Sequence, residues 1–352
     1  MKGLLMEKWT WIIRNAVIVL IVIALSFVLK HQVENEITVR VVSPNKVVMN
    51  TIAKIVAVAI GKQTAKQSID AAFEKIYKIE RLMNRYDPNS QLSKVNMLAA
   101  KGPVKVDKEL FDILQKSVDY YKLTDGAFDI TVAPLIDLWK KCAEANSMPT
   151  DEQLAEVKKI IGCDKLLLDS NDFSVRFAVE GMKLDLGGIA KGFAVDLAGK
   201  EMSKAGADGG FIAIGGEIGC FGKTEKGENW IIGIHNPFVP QGQDENVIAK
   251  LVLSDKNVST SGNYRRFYEI GGRRFSHILN PKTGKSADEL ASVTVITSDG
   301  TQADALATAI SVLGAEKGLD LIEKTKDIAA ILIKSGSGQI IKSSGVEQYL
   351  VK

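Results

Sequence analysis

The chain has 352 residues, 46% of them hydrophobic and 25% charged, which excludes a long disordered or repetitive protein and suits one large or two fused globular domains. Its formal net charge of +3, with basic residues dispersed along the chain, argues against a nucleic-acid partner. The three cysteines are far apart and form no C-x-x-C motif, which argues against a zinc cluster and a disulfide framework and indicates mostly buried thiols.

Residues 1–30 are predicted to anchor the protein in a membrane. Ala16–Leu29 is an apolar run interrupted only by Ser26, and counting from Trp11 it approaches the ~20 residues that a spanning helix needs. Lysine and arginine residues precede the run, so the positive-inside rule places the N-terminus in the cytoplasm and the rest of the chain outside it. We therefore expect a single-pass protein of the cell membrane with an extracytoplasmic body.

Two alternatives to an uncleaved anchor stay open, a cleaved signal peptide and a lipoprotein signal. The first needs a small-x-small cleavage site after Leu29 and the second needs a cysteine there, and the sequence offers no convincing site and no cysteine. With the anchor retained, residues 31–45 are the predicted linker and residues 46–352 the folded domain.

Strands and helices are predicted in an irregular order along that domain. Segments rich in valine and isoleucine predict strands at Ile37–Val42, Ile52–Ala59, Gly210–Ile214, Trp230–Ile234, Val247–Leu253, Arg274–Ile278, Val293–Thr297 and Ile328–Lys334. Helical spacing and caps predict helices at Gln63–Met83, Glu109–Lys122, Thr150–Gly162, Thr301–Leu313 and Ala315–Lys324. The order favours an α+β fold, with mixed sheets packed with helices, over regular βαβ winding.

The central stretch Leu184–Asp196 is interpreted as a strand, a tight turn and the start of a helix. Gly187 and Gly188 allow the backbone to approach a ligand, Lys191 adds a cation in the first helical turn, and Asp185 adds an acceptor. These features suit a nucleotide phosphate. The stretch matches neither common phosphate-binding signature, so a plain glycine turn with a solvated lysine is the alternative.

Two loops supply further candidates for ligand contact. Tyr86 follows the long helix Gln63–Met83 at a turn marked by Pro88, and its ring could stack on a planar ligand or simply pack at the helix end. Gly126 is followed by the small Ala127, which opens a place for a ligand against the backbone, although the same residues also occur in ordinary turns.

His277, Asp304 and Thr308 are candidates for chemistry. His277 lies at a predicted strand end before a Pro-Gly turn, which suits acid–base work, although a lone histidine is more often structural. Asp304 and Thr308 lie four residues apart, on one face of an alanine-rich helix, and two oxygens so placed suit Mg²⁺. The alternative is an aspartate that complements the helix dipole.

Together with Met49-Asn50-Thr51, these stretches resemble the FAD:protein FMN transferase family, also called ApbE, from about Met49 to Thr308. The resemblance implies an enzyme that binds FAD with Mg²⁺, cleaves its pyrophosphate, joins FMN through its phosphate to a threonine of an acceptor protein, and releases AMP. It also implies acceptors among the subunits of membrane redox pumps. An FAD pyrophosphatase and a flavin-binding protein without turnover are the alternatives.

The resemblance also assigns roles to individual positions. The positions that match flavin or nucleotide contacts are Met49, Tyr86, Ala127, Phe128, Asp129, Asp185, Lys191 and Ile278. The main-chain carbonyl of Gly188, with Asp304 and Thr308, matches the metal ligands, and His277 matches the catalytic position. The chain departs from the family pattern at Asn50, where glycine is common, at Asn263 and Asn280, where aspartate is common, and at Glu217, where asparagine is common.

Overall fold

We describe a computed structural model of the chain over residues 9, 11, 14–23, 37–239, 247–263 and 266–351. Its strands are β1 Thr38–Val42, β2 Lys46–Val48, β3 Thr51–Ile60, β4 Val104–Lys105, β5 Leu166–Asp169, β6 Ser174–Phe177, β7 Gly209–Ile214, β8 Glu217–Phe221, β9 Trp230–His235, β10 Val247–Leu253, β11 Lys256–Gly262, β12 Phe267–Ile270, β13 Arg273–Ser276, β14 Leu290–Thr297, β15 Ala329–Lys334 and β16 Ile340–Lys342. Its helices are α1 Lys62–Met83, α2 Gln91–Leu98, α3 Lys108–Leu123, α4 Ala133–Glu144, α5 Asp151–Lys159, α6 Ala190–Lys204 and α7 Gly300–Lys324. Short 3₁₀ turns lie at Cys163–Lys165 and Glu347–Tyr349.

The largest sheet has nine strands within the described residues. Its order is β1-β3-β7-β8-β11-β14-β15-β16, with β2 paired to β3 as a hairpin. Three small sheets accompany it, formed by β9 with β10, by β12 with β13, and by β4, β6 and β5. All pairings between these strands are antiparallel, so the predicted α+β fold is confirmed, with helices mixed among antiparallel sheets.

Strand β3 is buried on both faces and separates two cores. Ile55 and Ala57 lie in a core with helices α1 and α6, while Val56 and Val58 lie in a core with the β9–β10 hairpin. Because side chains alternate across a strand, this division explains why the strand is apolar almost throughout. Helix α7 forms a third core against β14 and β15.

Most of the predicted elements are present within a few residues of their expected ends. The predicted helix at Gln63–Met83 is α1, and its apolar positions at three- and four-residue spacing are buried. Thr150 and Gln153 form the predicted capping box of α5, although this helix ends before Gly162. The expected break between two C-terminal helices is a non-helical residue, Gly314 (φ 80°), inside α7. The three cysteines are free and buried, as predicted.

Three local expectations need correction. The segment before the glycine turn is not a regular strand, because the side chain of Asn96 occupies the backbone N–H and C=O of Leu184 and a single bridge joins Lys183 to Val132. Helix α2 is absent from the predicted elements, and Ser90 caps it by accepting from the Ser93 N–H. Helix α4 is absent from them too, and it carries Pro134 in its first turn, where proline is compatible with a helix.

At the N-terminus, the structure corrects the predicted linker, whereas the predicted anchor stays a prediction. Strand β1 pairs with β3 along its length, so the folded domain begins at Thr38 and the predicted linker of residues 31–45 ends too late. Within the predicted anchor at residues 1–30, the structure describes residues 9, 11 and 14–23, which are helical and mostly exposed. The other residues of the predicted anchor lie outside the described residues. Among the described residues, no helix has both the length and the apolar character needed to cross a bilayer.

Candidate active site

A cavity of about 580 Å³ lies where the glycine turn, α7 and the end of β13 meet. This volume is within the usual range for a small-molecule site. All but one of the predicted site residues line it, namely Tyr86, Ala127, Phe128, Asp129, Asp185, Gly188, Lys191, His277, Ile278, Asp304 and Thr308. The structure therefore brings together residues from both halves of the chain.

The glycine turn is held in shape by its own aspartate. One carboxylate oxygen of Asp185 accepts the Gly187 N–H at 2.7 Å, and the Asp185 N–H donates to the Ile130 carbonyl at 2.7 Å. The other carboxylate oxygen lies 3.3 Å from Nη1 of Arg85, which also pairs with Asp137. Asp185 therefore fixes the loop, and an arginine anchors it to the end of α1.

Helix α7 approaches the glycine turn closely enough to share its polar groups. A side-chain carbon placed on Gly188 would lie 3.0 Å from Oγ1 of Thr308, which shows how near the two residues are. The carboxylate of Asp304 accepts the Gly192 N–H at 2.9 Å and is 1% exposed. Gly188, Asp304 and Thr308 therefore converge on one corner of the cavity.

Asp196 positions the start of α7 from the neighbouring helix α6. Its two carboxylate oxygens accept from the Gly300 N–H at 2.7 Å, the Thr301 N–H at 2.8 Å and the Thr301 hydroxyl at 2.6 Å. These bonds satisfy N–H groups that the first turn of a helix leaves unpaired. They also fix α7 against α6, and with it the position of Asp304 at the cavity.

The donor atoms at this corner fit a hard divalent cation. A carboxylate, a hydroxyl and a main-chain carbonyl are oxygen ligands of the kind that Mg²⁺ prefers, with water and phosphate oxygens completing its shell. Within the described part of the chain, no cluster of three or more His, Cys, Asp or Glu residues could form another metal site. A buried carboxylate also needs a cationic partner, which a metal ion would supply.

Lys191 and Glu217 form a buried charged pair beside Asp304. The ammonium of Lys191 lies 2.8 Å from Oε1 of Glu217 and 3.8 Å from Oδ2 of Asp304. Burial raises the pKa of Glu217 to about 7; the Lys191 ammonium opposes this rise and the Asp304 carboxylate adds to it. Burial disfavours the ammonium form of Lys191, but Asp304 and Glu217 together hold its pKa above the ordinary value. Lys191 therefore stays cationic, because it has two acidic neighbours.

The ring of His277 is half-buried at the other side of the cavity. Its Nδ1 lies 2.9 Å from the main-chain carbonyl oxygen of Arg266, which can only accept a hydrogen bond. Nδ1 therefore carries the proton of the neutral ring, and Nε2 keeps its lone pair. Burial is the main cause that lowers the pKa of His277 to about 4; the hydrogen bond to the Arg266 carbonyl opposes this change, and the cationic side chains of Arg266 and Lys191 add to it.

The remaining contact residues form an apolar wall and a polar edge. Ala127, Phe128 and Ile278 are buried along the wall, whereas Tyr86 is 64% exposed. Asp129 is buried, and its Oδ1 accepts from the N–H and hydroxyl of Thr131. This arrangement provides a surface for a planar ring with hydrogen-bonding groups beside it.

Met49 lines a smaller adjoining cavity of about 150 Å³ instead of the large one. Met49 (φ 49°) and Asn50 (φ 58°) form the two-residue turn between β2 and β3, so both have left-handed backbone. Asparagine tolerates this conformation, which explains how Asn50 can stand where glycine is common. The small cavity also contains Tyr86, Asp185 and Lys191, so it continues the same site.

The sequence analysis assigned no site role to three charged residues of the site, Arg85, Glu217 and Arg266, although Glu217 stood out as a departure from the family pattern. Arg85 lies at the end of a long helix, where arginine is usually solvated, so no local signal marks it. Glu217 directly follows the Gly215-Gly216 pair, and this position after a glycine turn is the signal that could have found it. Arg266 lines both cavities and donates to the Asn50 carbonyl at 3.3 Å.

Comparisons with known proteins show which family the chain belongs to. The family model described as "ApbE family" matches residues 49–332. The FAD:protein FMN transferase of Haemophilus influenzae is 33% identical over 299 residues, which cover 81% of this chain and 86% of that protein. The FAD:protein FMN transferase of Vibrio cholerae is 32% identical, over 82% of this chain and 86% of that protein.

Solved structures show the same similarity in three dimensions. The crystal structure of the ApbE protein of Thermotoga maritima has a TM-score of 0.79 and 30% identity, and the match covers 90% of this chain and 100% of that one. The flavin transferase ApbE of Vibrio cholerae has a TM-score of 0.75 and 28% identity, with 89% and 100% covered. With the family model matching most of its length, the chain belongs to the ApbE family.

Proposed function

We propose that this protein is an FAD:protein FMN transferase, which cleaves the pyrophosphate of FAD, attaches FMN through its phosphate to a threonine of an acceptor protein, and releases AMP. The observation that carries the proposal is the convergence of Gly188, Asp304, Thr308 and His277 on one cavity. The curated relatives that bear this name support it.

The carbonyl of Gly188 and the side chains of Asp304 and Thr308 would hold Mg²⁺. When bound, the ion would neutralise negative charge on the pyrophosphate, which is the main requirement of phosphoryl-type transfer. The ammonium of Lys191 and the N–H groups of the glycine turn add positive potential at the same corner. At this corner the protein would therefore contribute mainly by positioning the pyrophosphate and by neutralising its charge.

His277 is the proposed general base toward the acceptor threonine. Its free Nε2 takes the hydroxyl proton while the threonine oxygen attacks the phosphorus on the FMN side, and the bond from that phosphorus to the AMP oxygen breaks. The proton on Nδ1 stays hydrogen-bonded to the Arg266 carbonyl oxygen and keeps the ring oriented. Because the pKa of His277 is lowered to about 4, the ring is neutral at pH 7, with a proton on Nδ1 and none on Nε2.

We further propose that residues 1–30 anchor the protein in the cell membrane with the folded domain outside the cytoplasm. The apolar run Ala16–Leu29 and the basic residues before it support this location. A subunit of a membrane redox pump is then the expected acceptor, since its target threonine would face the same compartment. FAD binds along the wall formed by Phe128 and Ile278, with Tyr86 at its edge.

The test is incubation of the purified protein with FAD, Mg²⁺ and a candidate acceptor, followed by in-gel flavin fluorescence and mass analysis of the acceptor threonine. We expect a fluorescent FMN adduct and one AMP per adduct. Rapid release of FMN and AMP without an acceptor would instead identify an FAD pyrophosphatase. FAD that stays intact for hours with Mg²⁺ and acceptor would identify a flavin-binding protein.

Variants of α7 supply a matched control for this test. Asp304→Asn is expected to lower the transfer rate by about 100-fold or more, the scale seen when a transition-state charge loses one stabilising group. Asp320→Asn changes a carboxylate on the same helix that pairs with Lys324 on the surface. Its rate is expected to equal that of the unmodified protein.

A further inference from the structure

Lys191 could pair with either of two carboxylates, and the structure shows which one it takes. Its ammonium is at hydrogen-bond distance from Glu217, at 2.8 Å, and beyond it from Asp304, at 3.8 Å. A lysine side chain is long and flexible, so a rotation would suffice to bring the ammonium onto Asp304. Glu217 is what holds it in place.

Glu217 is fixed much more firmly than the lysine. It is the first residue of β8, which pairs with β7 on one side and β11 on the other, and it is 4% exposed. Its Oε1 accepts from Lys191, and its Oε2 is buried without a hydrogen-bond partner among the described residues. A buried ion pair of this kind adds little net stability to the fold, so the main effect of Glu217 is on the position of the Lys191 ammonium.

We propose that Glu217 is a positioning residue that holds the Lys191 ammonium off the Asp304 carboxylate and leaves that carboxylate free to bind a divalent cation. This role rests on the proposed metal corner of Gly188, Asp304 and Thr308. Oδ2 of Asp304 already accepts the Gly192 N–H at 2.9 Å. An ammonium bonded to the same carboxylate would therefore take a further lone pair and repel the cation.

The test measures Mn²⁺ binding without FAD, from the loss of the free Mn²⁺ signal in electron paramagnetic resonance. Glu217→Gln keeps the shape but removes the charge, and we expect about tenfold weaker Mn²⁺ binding as Lys191 turns to Asp304. Adding Lys191→Met to Glu217→Gln removes the competing ammonium. The double variant is expected to recover most of the lost affinity.

The recovery separates positioning from other roles of Glu217. A damaged fold or a direct metal ligand at Glu217 would leave the double variant as weak as Glu217→Gln, and that outcome overturns the proposal. Unchanged Mn²⁺ affinity in Glu217→Gln overturns it as well. Glu201→Gln removes a carboxylate that pairs with Lys204 on the surface, so it serves as the control and is expected to bind Mn²⁺ normally.

The unmodified protein distinguishes this proposal from the function on which it rests. If it binds no Mn²⁺, the metal corner is wrong and the positioning role falls with it. If it binds Mn²⁺ and forms the FMN adduct while Glu217→Gln behaves identically, only the positioning role is wrong.

Discussion

The proposed proton transfer depends on the surroundings of one residue, His277. A histidine in water titrates near the middle of the physiological range, but burial and the nearby Arg266 and Lys191 lower the pKa of His277 to about 4. The hydrogen bond to the Arg266 carbonyl fixes the tautomer and leaves Nε2 open toward the cavity. The residue type was visible in the sequence, but its charge state follows from the fold.

The first prediction is a pH profile of FMN transfer. A base with a pKa of about 4 is active when it is unprotonated, so the rate at saturating FAD should stay level above pH ~6 and fall as the pH drops toward 4. Single-turnover formation of the fluorescent adduct measures this rate. FAD binding and circular dichroism at each pH control for lost substrate or unfolding. A midpoint near 6.5, the ordinary value for histidine, would contradict the lowered pKa.

At the scale of elements, the close contact between α6 and α7 builds the proposed metal corner. Gly192 permits it, because a side-chain carbon there would lie 2.1 Å from the Gly300 carbonyl oxygen and 2.8 Å from Cβ of Asp304. Gly199 lies further along α6, and its nearest neighbour for such a carbon is Ile212 at an ordinary 3.5 Å. The packing of α6 on α7 therefore requires glycine at position 192 but leaves room for a side-chain carbon at position 199.

The second prediction compares alanine at these two positions. Gly192→Ala should lower the free energy of unfolding by about 1–3 kcal/mol, because the helices must separate, and it should lose most of its transfer activity. Gly199→Ala should raise the free energy of unfolding by up to about 1 kcal/mol, because alanine favours a helix. Urea unfolding measures both. Equal effects of the two substitutions would show that the contact at Gly192 has no special importance.

The third prediction concerns the cap of α7. Asp196→Ala leaves the N–H groups of Gly300 and Thr301 and the Thr301 hydroxyl without their acceptor, at an expected cost of about 2–4 kcal/mol in the free energy of unfolding. Asp196→Asn keeps one side-chain oxygen, and burial with the neighbouring Asp299 raises the pKa of Asp196 to about 6, so losing the charge should cost less. A loss in Asp196→Asn as large as in Asp196→Ala would refute this ranking.

On the scale of the whole molecule, the main sheet carries a core on each face. Helices α1 and α6 cover one face of β3, and the β9–β10 hairpin covers the other. The hydrogen bonds of the folded domain begin just before β1, where the Gly61 N–H donates to the carbonyl of Ile37 at 3.0 Å. A chain that starts at residue 37 therefore keeps every described bond of the folded domain.

The fourth prediction is that such a shortened chain folds and transfers FMN at the rate of the full chain, but no longer sediments with membranes. The folded domain contains the whole cavity, whereas the proposed anchor lies in residues 1–30. Fractionation of cells that produce each form, with adduct formation in each fraction, is the measurement. A full-length chain in the soluble fraction would contradict the anchor, and an inactive shortened chain would place part of the site before residue 37.

By itself the sequence determined what depends on near neighbours: the buried stripe of α1, the capping box of α5, the break at Gly314 and the position of His277 after a strand. These features arise from contacts within a few residues, which periodicity and capping signals report directly. The sequence did not predict α2 and α4, because their local signals are weak: a single serine cap for α2 and a proline in the first turn for α4. Residue patterns marked most of the candidate site residues, and the family resemblance added Met49, Phe128, Asp129 and Ile278 and assigned the roles.

The tertiary structure decided what depends on distant partners. Gly188 and Thr308 are far apart in sequence and become neighbours because α7 packs on α6, and Glu217 meets Lys191 because β8 lies beside the same helix. Charge states followed from the same packing, since burial and facing charges set the pKa values of His277 and Glu217. Local preferences act over a few residues, whereas this site is assembled by long-range packing, and that is why only the folded chain could reveal its geometry.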